Sequence, residues 1–216
     1  MNPHTFPGAL LFACAAIAGI VAASALCSRI TGYDDGPENG TPPIVALVAG
    51  AALIGAIAGA HARHADPGHL GLLAVVTGAF VAAWYCDVVR GVIPDVFSLG
   101  PLAAIGALAL VWHEPRMLVS AAIITIPFAI VAYLSRGRGM GWGDVKLAAV
   151  AGAMLGASNA LLALALAAFS AGVAARLRKP ALLAGAGTAT IVMPRPVAFA
   201  PYLIGATALF TAFAAL

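Results

Sequence analysis

Charged residues are scarce in this chain. Only 9% of its 216 residues are Asp, Glu, Lys or Arg, split as 8 acids and 11 bases, where a soluble domain carries about 25%. So few charges cannot cover a water-exposed surface, which excludes an ordinary soluble fold. Strand-like alternation of apolar and polar residues is also missing, which excludes an outer-membrane barrel. The net charge of +3 and the pI near 9.0 do not point to nucleic acid. The bases are scattered through short loops, and no contiguous basic face exists to displace counterions from phosphates. Cysteine is sparse: Cys14, Cys27 and Cys86 lie in or beside apolar runs without a Cys-x-x-Cys pair. They read as small packing residues rather than a disulfide or a zinc site. No Lys or Arg precedes the first apolar run within Met1–Leu10. A cleaved signal peptide opens on positive charge, so this run is expected to be a permanent span.

What the chain has is apolar length. It is 62% hydrophobic, with a mean hydropathy of +1.02, in runs near the roughly 20 residues that cross a bilayer core as helix. The expectation is an all-α, polytopic membrane bundle of about eight spans (six to eight) in contact with lipid. The spans run Gly8–Ser28, Pro43–Ala62, Leu70–Asp87, Phe97–Trp112, Met117–Leu134, Val145–Gly156, Asn159–Ala175 and Val197–Ala215, with the sixth and seventh separated by a turn at 156–159. The apolar stretch Ala181–Met193, with two Gly and two Thr, reads as loop or re-entrant. The chain is expected to form one domain over 1–216, its chemistry in about 70–216 and two helices ahead of it.

Orientation follows from the bases. Arg29, Arg90, Arg136, Arg138, Lys146, Arg176, Arg178, Lys179 and Arg195 follow odd-numbered spans; only Arg63 and Arg116 follow even-numbered ones. Nine against two predicts cytoplasmic odd loops and both termini outside. Gly55-x-x-x-Gly59 and Gly152-x-x-x-Gly156 permit close helix approach.

The acids divide sharply. Asp34, Asp35, Glu38, Asp66 and Glu114 sit in polar or Gly/Pro-rich loops and read as solvated. Asp87 closes the third span and Asp144 opens the sixth. Ionisable groups at the edge of a membrane span default to a functional reading. The predicted topology places both on the cytoplasmic face at similar depth. Two carboxylates a few ångströms apart share one proton and can run acid–base hydrolysis of an amide. The plain alternatives are that Asp144 caps a helix start and that Asp87 pairs with Arg90 at a helix end.

The neighbours of the two acids carry a resemblance. Gly141-Trp142-Gly143-Asp144-Val145-Lys146-Leu147 holds the Gly-x-Gly-Asp pattern of membrane aspartyl proteases, and its Gly-Asp-Val-Lys-Leu resembles the second motif of the type IV prepilin peptidase family. Asp87, followed seven residues later by Pro94 and then Asp95, resembles that family's first motif, and Phe199-Ala200-Pro201 more weakly resembles its Phe-x-Pro. Presenilin-like proteases share Gly-x-Gly-Asp but place their first Asp in a Tyr-Asp pattern, whereas Cys86 precedes Asp87 here. The resemblance runs from about Leu70 to the end of the chain.

It implies an aspartic endopeptidase of the inner membrane that needs no cofactor or metal. Asp87 and Asp144 would be catalytic, Gly141, Gly143 and Pro94 would shape the site, and Lys146 would either snorkel or contact substrate. The implied substrates are prepilin-like precursors, of the Flp/Tad type among others, cut at the cytoplasmic face after a short basic leader. One departure matters: the loop from Arg29 to Pro42 is short and lacks paired cysteines. Longer members carry a cysteine-bearing domain there that is linked to N-methylation, so peptidase activity alone is expected. A proton- or ion-coupled transporter would need acids near mid-span and inverted halves, neither of which is found; a non-catalytic assembly protein would not need the acid pair. His61, His64, Asp66 and His69 lie close in sequence but are expected on the opposite face as a solvated loop rather than a metal site.

Overall fold

Glycine and proline decide where the helices of this chain stop and start. The computed structural model describes residues 5–29, 67–134, 136, 140–177, 181–185, 188–192 and 199–214. Helix α1 covers Thr5–Arg29 and α2 covers Pro67–Arg90. Gly91 ends α2 at φ 68°, and its N–H donates to the Asp87 carbonyl at 2.9 Å, the left-handed cap that glycine supplies without a Cβ penalty. Pro94, extended at φ −61° and ψ 138°, then leads into α3, Asp95–Val111. Helix α4 opens on a proline, Pro115–Leu134, where the missing N–H is harmless. Helix α5 runs Trp142–Leu177 and α6 runs Ala200–Ala214.

The result is an all-helical membrane bundle with one small addition. Among the described residues, three helices are long and apolar enough to cross a bilayer: residues 68–89, 115–134 and 142–177. Side chains that a soluble protein would bury lie open on the outside, Leu110 and Val111 at 69% and 70% exposure among them, as expected where lipid is the solvent. The first half of α5 is the centre of the bundle: Val145 and every residue from Leu147 to Ala153 are buried. Its stretch Leu147–Ala153 is apolar on all sides, as an enclosed helix segment must be, and α3, α4 and α6 pack around α5.

Eight separate spans are not what the described residues show. The expected second span, Pro43–Ala62, lies outside them. The expected sixth and seventh both lie within α5, which is two helices joined across a kink at Gly156, where φ is 74° and ψ is 163°. That conformation is open almost only to glycine. A Cβ at Gly156 would meet no atom within 4 Å, so the backbone alone should resist substitution. Gly156→Ala is expected to lower stability by about 1–3 kcal/mol, read as the temperature of half-loss of folded protein in detergent.

Ala181–Met193 is also corrected: Ala181–Gly185 and Thr188–Val192 form antiparallel strands β1 and β2, with Gly185 opposite Thr188. The β-branched run Thr188 to Val192 suits a strand better than the loop expected from its glycines.

Two close approaches hold helices together. Gly152 of α5 lies against Ile124 and the Ser120 carbonyl of α4, and Gly19 of α1 lies against Gly78 of α2. Of the two expected small-residue pairs, Gly152-x-x-x-Gly156 thus splits its work between a helix contact and a helix break, while Gly55 and Gly59 lie outside the described residues.

Candidate functional site

The end of α2 and the start of α6 meet at Asp87. The residue sits on the last turn of α2, its carbonyl held by the Gly91 cap and its side chain only 8% exposed. The Ala200 N–H, the first of α6, donates to Asp87 Oδ2 at 3.1 Å. The first N–H groups of a helix have no partner within it and carry the positive end of its dipole, so a carboxylate is a natural acceptor there. The Phe199-Ala200-Pro201 element, the weakest of the three resemblances in the sequence, therefore supplies a hydrogen bond to the acid of the first motif. Neither spacing nor composition announces that contact, because Ala200 acts through its backbone.

Asp144 lies in the first turn of α5 and is half-buried. It is not the cap residue itself, since α5 begins at Trp142. Its N–H donates to the Gly141 carbonyl at 3.1 Å, and its carboxylate takes a hydrogen bond from the Gly141 backbone. This is the reciprocal arrangement in which an acid at the third helical position reaches back to the residue before the helix. A Cβ on Gly141 would stand 3.4 Å from Asp144 Oδ2, so Gly141 lines the same carboxylate. The charge of Asp87 reaches Asp144: the acids, 57 positions apart in sequence (144 − 87), are electrostatic neighbours. The pairing of Asp87 with Arg90 weighed above falls on a side chain outside the described residues.

The turn between α2 and α3 packs onto the start of α5 through two contacts. Ile93 presses on Gly143, where an added Cβ would come within 3.0 Å of the Ile93 Cβ and 3.1 Å of its Cδ1. Asp95 Oδ1 accepts a hydrogen bond from Lys146 Nζ, closing an ion pair between the two motifs. Gly143 and Lys146 are three apart and so share one face of α5. Pro94 stands between the two contacting residues and fixes the turn that presents them. Asp95, to which the first-motif resemblance gives no role of its own, is thus a partner across the site, and Lys146 is engaged by protein rather than left to snorkel.

The Gly143 contact gives a sharp expectation. Gly143→Ala forces Ile93 away from α5 and should lower turnover about 10-fold, as small displacements of reacting groups do. Adding Ile93→Gly, which removes the Cβ itself, should restore part of it. Rates at matched membrane abundance decide the matter, and a Gly143→Ala rate that Ile93→Gly fails to raise would refute the steric account.

Elsewhere, an open groove of about 640 Å³ between α1 and α2 is lined by apolar and small residues and reaches Phe97; its one ionisable group is Cys14. His69 stacks on Trp112 with ring centroids 4.1 Å apart, while His61 and His64 lie outside the described residues. Among the described residues no cluster of three His, Cys, Asp or Glu could hold a metal.

Residues 73–176 match the model of the type IV leader peptidase family. The matched segment takes in both acids, the turn between α2 and α3, and the Gly-x-Gly-Asp element. No curated protein and no solved structure matches the chain.

Proposed function

We propose, for a chain whose residues 73–176 match the model of the type IV leader peptidase family, that it is a membrane-embedded aspartic endopeptidase cleaving pilin-like precursors through Asp87 and Asp144. The observation that carries this reading is that the helix ends bearing the two acids are held together. Asp87 closes α2, Asp144 opens α5, and the turn after Asp87 packs on the start of α5 through Ile93 on Gly143 and Asp95 on Lys146.

In this mechanism the pair holds one proton. The ionised carboxylate takes a proton from a water molecule as its oxygen attacks the scissile carbonyl, while the protonated partner hydrogen-bonds and then protonates the carbonyl oxygen. The tetrahedral intermediate collapses as the C–N bond breaks. The leaving amine takes the proton that the first carboxylate removed from water, and the hydroxyl proton of the collapsing intermediate returns to the second carboxylate. Water has been added across the amide and the pair is back in its starting state. The Ala200 N–H on one oxygen of Asp87 and the Gly141 backbone on Asp144 fix the two carboxyl planes, so that little reorganisation is needed during the reaction.

The reading extends to place and substrate. The acids lie at the cytoplasmic face of the inner membrane in a multi-pass chain with both termini outside, following the bias of Lys and Arg. The substrate is a precursor whose short basic leader ends just before an apolar helix, of the Flp/Tad type or a related secretion system. No methylation accompanies cleavage. The test is processing of a co-expressed pilin-like precursor: the chain should convert it to a shortened product whose new N-terminus follows the leader. An unchanged precursor across a panel of pilin-like candidates, with the chain folded in the membrane, would overturn the proposal.

A further inference from the structure

We infer that the Asp95–Lys146 ion pair is a positioning clamp: it sets the distance between Asp87 and Asp144 by fastening the α2–α3 turn to the first turn of α5. The inference rests on the reading of those two acids as the working pair. Asp87 is fixed to α2, and Asp144 to α5. Along the chain, the connection between them runs through α3 and α4, a path of 57 residues. Across the site, the α2–α3 turn is fastened to α5 at two points, Ile93 on Gly143 and Asp95 on Lys146. The apolar contact resists approach, because Ile93 already touches the backbone of α5. The ion pair resists separation. Together they hold the gap from both sides, where either alone would leave it free in one direction.

The partners are placed for such a role. Asp95 is the first residue of α3, where an acid is favoured by the helix dipole, and Lys146 is in the first turn and a half of α5. Asp95 is 64% exposed and Lys146 26%, so the pair sits at an accessible edge of the site rather than in the core. Pairs this exposed contribute little to global stability. A clamp of this kind should therefore read on turnover and local geometry while leaving folding nearly untouched. It also leaves the Lys146 ammonium engaged by Asp95, so substrate affinity should not depend on it.

The experiment combines kinetics with a measurement that needs no activity. Asp95→Asn and Lys146→Met should each lower kcat about 10- to 100-fold, the usual penalty for a misplaced reacting group, with KM changed less than about 2-fold. Lys146→Arg, which keeps the charge, should retain most of kcat, and the exchanged pair Asp95→Lys with Lys146→Asp should recover it relative to either single neutralisation. Separately, Ile93→Cys with Gly143→Cys places two thiols within disulfide reach. Their oxidative cross-linking, followed by mass spectrometry of the joined peptides, should slow at least about 5-fold when Asp95→Asn or Lys146→Met is added, as the turn loosens.

A rise in KM alone would make Lys146 a substrate contact and overturn the clamp, as would an unchanged cross-linking rate. A slowed cross-link in a chain whose Asp87→Asn variant still cleaves would instead keep the clamp and remove the catalytic reading of the acids.

Discussion

Asp87→Asn and Asp144→Asn should each abolish precursor cleavage, with a loss of at least about 10²- to 10⁴-fold, the range that a positioned acid or base contributes. The substitution removes the ability to exchange a proton and keeps nearly the same shape. Asparagine at 87 retains a side-chain oxygen for the Ala200 N–H, which now donates to Asp87 Oδ2 at 3.1 Å. Its amide adds no volume to a site that is 8% exposed. Membrane abundance should therefore stay near that of the parent chain, and the loss should appear in rate alone. Because two carboxylates sharing one proton act as a unit, the double variant should be hardly slower than either single one, as for other groups that work together. Multiplying losses would mean that the acids act separately. Normal cleavage by both single variants would remove the pair from the chemistry altogether.

How far this site could be read in the sequence depends on how each contact is made. Asp87 and Asp144 were legible because acids are few here and an ionisable group at the edge of an apolar run is costly unless it has a use. Their arrival at one place was legible from topology: the end of one span and the start of another fall on the same predicted face. The Asp95–Lys146 pair was not legible, since its partners lie 51 residues apart and each has an ordinary interfacial explanation. The Ala200 hydrogen bond was hidden for a different reason, because a backbone N–H carries no residue-type signal.

The fold shows the same division. Apolar length predicted helices, but a helix apolar on every side does not reveal which face meets which neighbour, because lipid and protein interior both accept leucine. So the buried character of the first half of α5 and the contact of Gly19 with Gly78 appear only in the structure. The break at 156 falls within the turn expected from Gly156-Ala157-Ser158-Asn159; the structure makes it a kink at one glycine that joins two helices. The ribbon of β1 and β2 was masked by glycines that read as loop.

Among substitutions at the described glycines, Gly19→Val should be the most damaging for folding. A Cβ at Gly19 would stand 2.1 Å from the Gly78 carbonyl oxygen and 2.9 Å from its carbon, and one at Gly78 would stand 2.8 Å from the Ala15 carbonyl oxygen. These are backbone atoms, so no side-chain rotation can relieve the overlap, and α1 must move off α2 as a body. Within a bilayer no hydrophobic effect pushes helices together, and close backbone approach is what holds them. Phe12 packs on Ala74, and Ile20 on Val81, so the two helices run parallel and the glycine contact lies midway along the seam. Gly19→Ala is expected to cost about 1–3 kcal/mol, in the range of core overpacking. Gly19→Val should exceed that and deplete the chain from the membrane. Gly71→Ala on the same α2, where an added Cβ meets nothing within 4 Å, should be neutral or slightly stabilising, since alanine is the better helix former by about 1 kcal/mol. The measurement is the fraction of protein surviving a heating series in detergent, set beside the cleavage rate per folded molecule. Asp87 is tied to α6 through Ala200, and its neighbouring turn is held on α5 by Ile93 and Asp95. None of these contacts involves α1, so the Gly19→Ala molecules that remain folded should cleave at the parental rate. A rate that falls in step with stability would place the α1–α2 seam inside the working geometry of the site.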